Sequence, residues 1–513
     1  MSDTNISDDS YDGSQSSSLT SRLAANPRPA LRWGAVALAL LVLELGAFIG
    51  GTLTVLHALV LGITGLIAAT LGLTISKGIE ASINEIQASI LAQIDSVRSS
   101  AEVIPTLLSR EVIPNQGHRL GPNGPWAETF LGLEPRLAWL LRVTLILVYA
   151  FIVAYWLFRG WDIFRVHYRQ ADWTPSDDIL NRLRTHRWGL FGVTIMVLFL
   201  TMALFGPALS PTTVEANIQS PYGHYVEYYS SETGQVENVT VGNANFNSKS
   251  KGEGTNVGPM SYDKFGRFHP FGTLTNGRDL FTFMMGGART TLTVVGIAIG
   301  LSASIAAALG MISAFYSGTV DLGVLTVADG ITSIPQLLLL IMVSAVFASH
   351  WITNVLNGGF LLAILFGLTG WPGLWRAVRG PALQVAQEEW VDAAQSFGQR
   401  PALIMWKHMF PYVVGYLLVY ASMSAGGIVI AMSALSFLGN GLGVTAPTPA
   451  WGRAIDLGQN YVSTPSWHIS LIPGLMIVAL VTGANALGDG LRDAIDPETE
   501  AGDGEQAASG GGA

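Results

Sequence analysis

Glu388–Pro411 reads EEWVDAAQSFGQRPALIMWKHMFP and lies between two apolar stretches, each long enough to cross a bilayer. It holds five charged residues, and His408 besides, in a chain that is only 12% charged. Glu389, Trp390, Ala393, Ala394 and Phe397 fall at helical spacing, which predicts an amphipathic helix. Gly398 follows where a helix end favours a residue that tolerates positive φ. Pro401 suits the first turn of a second helix, and Pro411 is expected to break the chain before the next span. A short helix–turn–helix held at a membrane face suits insertion into a groove on another protein. An ordinary linker helix between spans is the plainer alternative.

The chain around it has 513 residues, is 50% hydrophobic and has a mean hydropathy of +0.41. Several apolar runs reach the roughly 20 residues a spanning helix needs. An all-α polytopic membrane protein follows; a β-barrel would show weak alternation rather than continuous apolar runs. Cysteine is absent, which excludes disulfides, thiolate chemistry and Cys-based metal sites. The net charge of −9, gathered in the tails and extramembrane segments, argues against nucleic acid as a partner.

Residues 1–30 form a polar, Ser- and Asp-rich tail that reads as disordered. Residues 31–160 are expected to be an N-terminal membrane extension. The apolar run from Trp33 to Ile75 is too long for a signal peptide core. It fits two helices turning at Gly50-Gly51-Thr52, or one long tilted helix with a re-entrant piece. Glu44 and His57 lie inside it, and the simplest reading has them facing the bundle or the interface. In 76–112, Ile79, Ile83, Ile86, Ile90, Ile94 and Val97 predict an amphipathic helix with one packed face. A further span is expected near 138–157.

A basic linker at 161–187 continues a cluster formed by Arg159, Arg165, Arg169, Arg182, Arg184 and Arg187, which the positive-inside rule places in the cytoplasm. Thr174 and Pro175 read as the cap and first turn of a helix there. The span 188–209 then runs outward. A polar extracytoplasmic loop at 210–289 follows, with a glycosylation pattern at Asn238-Val239-Thr240 and a weaker one at Asn5-Ile6-Ser7. Residues 290–488 hold five further spans, near 290–315, 322–348, 358–378, 412–438 and 468–488. Alternation puts the loop 379–411 and the acidic tail 489–513 in the cytoplasm. Asp329 is expected to face the bundle as a structural residue, and Arg376 and Arg379 to hold a span end at the interface.

Asp392-Ala393-Ala394, then Gly398 after three intervening residues and Pro411 after twelve more, resemble the EAA coupling motif of ABC-transporter permeases. Asp392 stands where Glu is usual, His408 where Ile is usual and Phe410 where Leu is usual. The His is similar to the dipeptide/oligopeptide subfamily. His269-Pro270-Phe271-Gly272-Thr273, Asn276-Gly277-Arg278-Asp279 and Gly287-Ala288-Arg289 resemble the stretch ahead of the second span in the C-type permeases of that family. Gly370–Gly380, Ala434–Gly439 with Pro447–Gly452, and Leu487–Asp493 with Asp496-Pro497 extend the likeness over 188–498.

The resemblance implies a six-helix type I importer core, here with an N-terminal extension of about three more membrane helices. It implies a path for peptides, nickel complexes or similar small solutes in the plasma membrane. The implied partners are a B-type permease, two ATPase subunits and an extracytoplasmic substrate-binding protein. Glu389, Asp392, Ala393, Ala394, Gly398, His408 and Pro411 would couple the path to the ATPases. The chain has no GxxxxGK[ST] phosphate loop, so it is expected to be a permease and not itself an enzyme, with no cofactor or metal. An ion-coupled secondary transporter is the alternative; it would want ionisable groups at mid-membrane, and the core spans are poor in them. A membrane enzyme is the remoter rival, since no His/Asp/Glu cluster shows metal spacing in the sequence.

Overall fold

The computed structural model describes residues 18–46, 88–94, 109–122, 124–169, 175–348, 350–439 and 442–495, with a few further positions between 49 and 106. Its helices are α1 Leu19–Ala25, α2 Pro27–Leu43, α3 Pro135–His167, α4 Pro175–Thr185, α5 Arg187–Leu209, α6 Val241–Phe246 and α7 Leu280–Tyr316. They continue as α8 Gly318–Ser333, α9 Gln336–Val346, α10 Gly359–Ala386, α11 Glu389–Ser396, α12 Pro401–Ile404, α13 Phe410–Leu438, α14 Trp451–Gly458 and α15 His468–Ile495. Three small antiparallel hairpins pair β1 His118–Arg119 with β2 Trp126–Ala127, β3 Tyr225–Tyr229 with β4 Val236–Thr240, and β5 Ser261–Tyr262 with β6 Phe268–His269.

Among the described residues six helices are long and apolar enough to span a membrane: α3, α5, α7, α10, α13 with its lead-in from Pro401, and α15. The helices α8 and α9 together make a seventh candidate, bent by 76°. An uninterrupted span over 322–348 was the expectation, and Pro335 is why the structure differs. A residue before proline is pushed out of the helical region, and Ile334 is extended at φ −82°, ψ 127°.

Two helix starts also differ from expectation. The helix α7 begins at Leu280, ten residues before the expected 290, because Asp279 caps it by accepting from the Thr282 N–H at 2.7 Å. At the other end of the bundle Pro411 does not break the chain. It lies in the first turn of α13, preceded by a π-helical turn over Met405–Met409, so one helix runs from Pro401 to Leu438. The wider turn accommodates a proline that has no N–H to give.

The helices α7 and α10 form the centre of the bundle, where Ser302 Oγ on α7 donates to Gly367 O on α10 at 2.9 Å. Helix α5 lies on α15 at backbone contact. A Cβ at Gly192 would sit 2.3 Å from the Leu487 amide nitrogen, so this crossing admits only glycine. At the loop end of the bundle, Trp451 Nε1 donates to Met284 O at 2.8 Å and Asn357 Nδ2 to Thr448 Oγ1 at 2.8 Å. At the opposite end Arg182 donates to Ala494 O at 3.0 Å, and His186 lies 3.1 Å from Asp493.

The N-terminal part is joined to this bundle through α3. Trp33 on α2 and Trp156 on α3 each donate an indole N–H to the other's backbone carbonyl, at 2.9 and 3.1 Å. Tyr149 donates to Leu40 O at 2.7 Å. The buried Arg142 of α3 donates to Ile113 O at 2.8 Å and to Ser210 O at 3.0 Å. Of the spans expected in 31–160, α3 is one; α2 has 17 residues and Glu44 at its end is buried. His57, the Gly50-Gly51 turn and most of the 76–112 helix lie outside the described residues, as do Thr174, Asn5 and the acidic tail beyond Ile495, whereas 489–495 continue α15.

Candidate coupling site

The helix–turn–helix expected at 388–411 is present. Glu389 and Asp392 occupy the first turn of α11, where acidic side chains complement the helix N-terminus. Gly398 closes α11 at φ +73°, with Gly398 N–H donating to Gln395 O at 2.9 Å and Gln399 N–H to Ala394 O at 3.1 Å. Arg400 is extended and Pro401 opens α12.

The motif has two faces. Val391, Ala394, Ile404 and Met409 are buried in a cluster with Trp375, Val378, Ala382 and Val385 of α10 and Ala306, Ala307, Met311 and Ala314 of α7. Opposite them, Trp390 is 41%, Phe397 86%, Leu403 50% and Trp406 65% exposed. Trp390 stacks on Tyr412 and Trp406 on Phe410, so both rings are held in place while still facing outward. Exposed apolar side chains grouped on one element mark a surface that meets another protein or the membrane.

The expected site residues divide between these faces. Glu389, Asp392, Ala393 and Gly398 are exposed, whereas Ala394 packs into the chain's own core. His408 is half-buried, and its Nε2 is shielded from solvent with no hydrogen-bond partner in the chain. Pro411 belongs to the spanning helix. The anchors Val391, Ile404 and Met409 were not singled out from sequence; Val391 lies three residues before Ala394 on the same helix, whereas Ile404 and Met409 lie beyond the Gly398 turn.

Behind the motif, Arg379 makes a two-pronged ion pair with Asp321, its Nε donating to Oδ1 at 2.8 Å and its Nη2 to Oδ2. Arg376 reaches Asp329 at 2.6 Å. Asp329 was expected to face the bundle; its side chain is instead 61% exposed, and it serves to tie α8 to α10. Between the bend of α8–α9 and the core helices lies a cavity of about 210 Å³ lined by Ile299, Ser302, Gln336, Phe366, Ser424 and Gly427.

At the loop end, residues 211–279 fold over the span ends around a buried charge network. His269 Nδ1 is 2.8 Å from Asp279, its Nε2 is 3.5 Å from Asp263, and Arg267 meets Asp263 at 2.7 Å. Burial pulls the His269 pKa down, but the hydrogen bonds and charges of Asp263 and Asp279 outweigh it and the net shift is upward. Burial likewise opposes ionisation of Asp263, and Arg267 and His269 overcome it, leaving that carboxyl well below the usual range.

A bundle of six or seven spans with a rigidly seated helix–turn–helix at one end is the architecture of a membrane permease. The chain belongs to the family of binding-protein-dependent transport system inner membrane components, whose model matches residues 306–501. A second model, for the N-terminal membrane domain of oligopeptide transport permease C, matches residues 174–225. The chain is 30% identical to the oligopeptide transport system permease protein OppC of Bacillus subtilis, over 63% of this chain and 89% of that protein. It is 27% identical to the dipeptide permease protein DppC of Alkalihalophilus pseudofirmus and 28% identical to the glutathione permease protein GsiD of Shigella dysenteriae, with 63% of this chain covered each time and 90% and 91% of those proteins. It is a multi-pass plasma-membrane protein and the permease component of an ABC transport system.

Proposed function

We propose that the chain is the C-type half of an ATP-driven importer for peptides or similar small solutes. A B-type permease would complete the path, two ATPase subunits would drive it and an extracytoplasmic binding protein would load it. The relatives with oligopeptide, dipeptide and glutathione in their names support the peptide class. In this reading 389–409 faces the cytoplasm, and 211–279 faces the outside with the β-hairpins.

One observation carries the coupling role: α11 exposes Trp390 and Phe397 while burying Val391 and Ala394 in the core shared by α7 and α10. A segment seated in a groove of an ATPase on one face and keyed into two spans on the other transmits displacement as a lever. Closure of the ATPase pair would then tilt α7 and α10, with the Arg379–Asp321 and Arg376–Asp329 pairs carrying α8 along. The cavity beside Ser302 and Gln336 lies among the spans that move.

The test is affinity purification of the tagged chain from native membranes, comparing it with a Gly398→Pro, Asp392→Arg double variant. ATPases and a second permease are expected with the parent chain, and the ATPases are expected to be lost with the variant. A parent chain that comes down without any ATPase under gentle detergent conditions would overturn the reading and return attention to ion coupling.

A further inference from the structure

The residues that bring a metal-ligand set together come from two of the segments that the family models do not cover. Among the described residues one group of three offers ligand atoms within 4.8 Å of one another: His118, Glu128 and Glu227. His118 stands on β1, Glu128 directly follows β2, and Glu227 is on β3. The family models match 174–225 and 306–501, so all three residues lie outside the matched segments.

We propose that His118, Glu128 and Glu227 form a binding site for a divalent cation of borderline character, such as Zn²⁺. The imidazole is the decisive member. His118 is 8% exposed, and its Nδ1 is buried without a hydrogen-bond partner. A buried polar atom left unpaired is costly and calls for a partner. That nitrogen faces Glu227 Oε2 at 3.4 Å, long for a hydrogen bond to a carboxylate. Two ligands each about 2.1 Å from a tetrahedral zinc ion lie about 3.4 Å apart, so the pair is already spaced as two corners of a coordination shell.

Glu128 is exposed, and it can swing in by the ångström or so that the third corner requires. Its backbone is held at φ +63°, which fixes where its side chain leaves the β1–β2 hairpin. Nitrogen with two carboxylate oxygens suits zinc-like ions better than Mg²⁺ or Ca²⁺, which favour oxygen shells. Two cations lie nearby: the Arg119 guanidinium lies over Trp126 and donates to Pro122 O, and the Lys264 ammonium lies over the Phe265 ring. Water would fill the remaining positions. A bound ion would bridge the β1–β2 hairpin to β3 and so join the N-terminal extension to the loop at 210–289.

The experiment is isothermal titration of the full-length, chelator-treated chain in detergent with Zn²⁺, repeated for three variants. One Zn²⁺ per chain is expected, with little response to Mg²⁺. His118→Ala and Glu227→Gln are each expected to weaken binding more than ~10-fold, the lower end of what losing even an outer partner of a ligand costs. Glu128→Gln alters only an exposed side chain, so it keeps the fold and reads the third ligand by itself. Zn²⁺ should raise the melting temperature of the parent chain and not of the Glu128→Gln variant. Absence of stoichiometric Zn²⁺ binding, or equal binding by the parent and Glu128→Gln, would overturn the proposal. The readout needs no transport or ATPase partner, so it stands or falls apart from the importer reading.

Discussion

Arg142 and Ser210 lie 68 residues apart in the chain and are joined by a buried 3.0 Å hydrogen bond from Nη2 to the backbone carbonyl. The second arm of the same guanidinium holds Ile113 O. One side chain of the extension therefore satisfies the carbonyl at the C-terminal end of α5, the first span of the core. Arg142→Leu would leave both carbonyls buried and unpaired. A loss of about 1.5–3 kcal/mol per bond is expected for hydrogen bonds to a charged donor. Thermal unfolding of the purified chain, with hydrogen exchange at 110–116 and 209–213, would measure it; unchanged exchange at both places would contradict the assignment.

Gly398→Ala tests geometry without changing packing. Space around Gly398 is open, with nothing within 4 Å of an added Cβ, so the cost comes from φ +73° alone, about 1–2 kcal/mol. That strain is local to the turn between α11 and α12. The variant should keep its melting temperature within a few degrees yet recover less ATPase in co-purification. Full retention of coupled ATPase activity would mean that the turn does not need its left-handed residue.

Trp406→Ala and Phe397→Ala remove largely exposed rings, at 65% and 86% exposure. Both should leave stability nearly unchanged and weaken ATPase association; aromatic anchors at interfaces can cost about 2 kcal/mol or more. Val391→Ala should do the reverse, lowering stability first, because Val391 is fully buried. Binding assays paired with melting curves would separate the two faces.

The buried network around His269 has a defined pH response. The His269 pKa is raised in the folded chain, so its contribution is complete below the ordinary imidazole value of about 6.5 and is lost as pH climbs through the folded value. The Asp263 pKa is depressed, so its contribution is present above about 3.9 and is lost only as pH falls through the folded value. Residues 261–279 should exchange more slowly at about pH 6 than at about pH 9 once intrinsic rates are corrected. His269→Gln should flatten that alkaline limb; an equal slope in the variant would sink the account.

A double-mutant cycle on Arg379 and Asp321 should give a coupling of about 1 kcal/mol, since the pair is partly exposed at 35% and 16%. Transport should fall more than stability if α8 must follow α10, and Arg379→Lys, which loses the two-pronged geometry, should rescue only part of it.

The spans and the helix–turn–helix were legible because apolar runs, Gly398 and Pro401 act through local backbone chemistry. What the sequence could not show depends on neighbours. Phe397 and Val391 are both apolar, and only the position of α10 decides that the valine is buried and the phenylalanine exposed. Proline was ambiguous in the same way: Pro335 separates α8 and α9 at an angle of 76°, whereas Pro411 is absorbed by a π-helical turn. Asp279 hid the start of α7 because its capping role depends on φ and ψ rather than hydropathy. His118 and Glu227 are 109 positions apart and share no motif. Only the docking of two hairpins brings them together.

The Arg142–Ser210 bond also sets an order of events during synthesis. At about 5–20 residues per second, the ribosome needs roughly 3–14 s to reach Ser210 after making Arg142. Throughout that interval the guanidinium waits on an apolar helix while one of its two acceptors does not yet exist. The insertion machinery, surrounding water or lipid headgroups must shelter that charge until α5 arrives. A ribosome pause placed between the two residues would prolong the exposed state, and quality-control proteases would encounter the nascent protein there first.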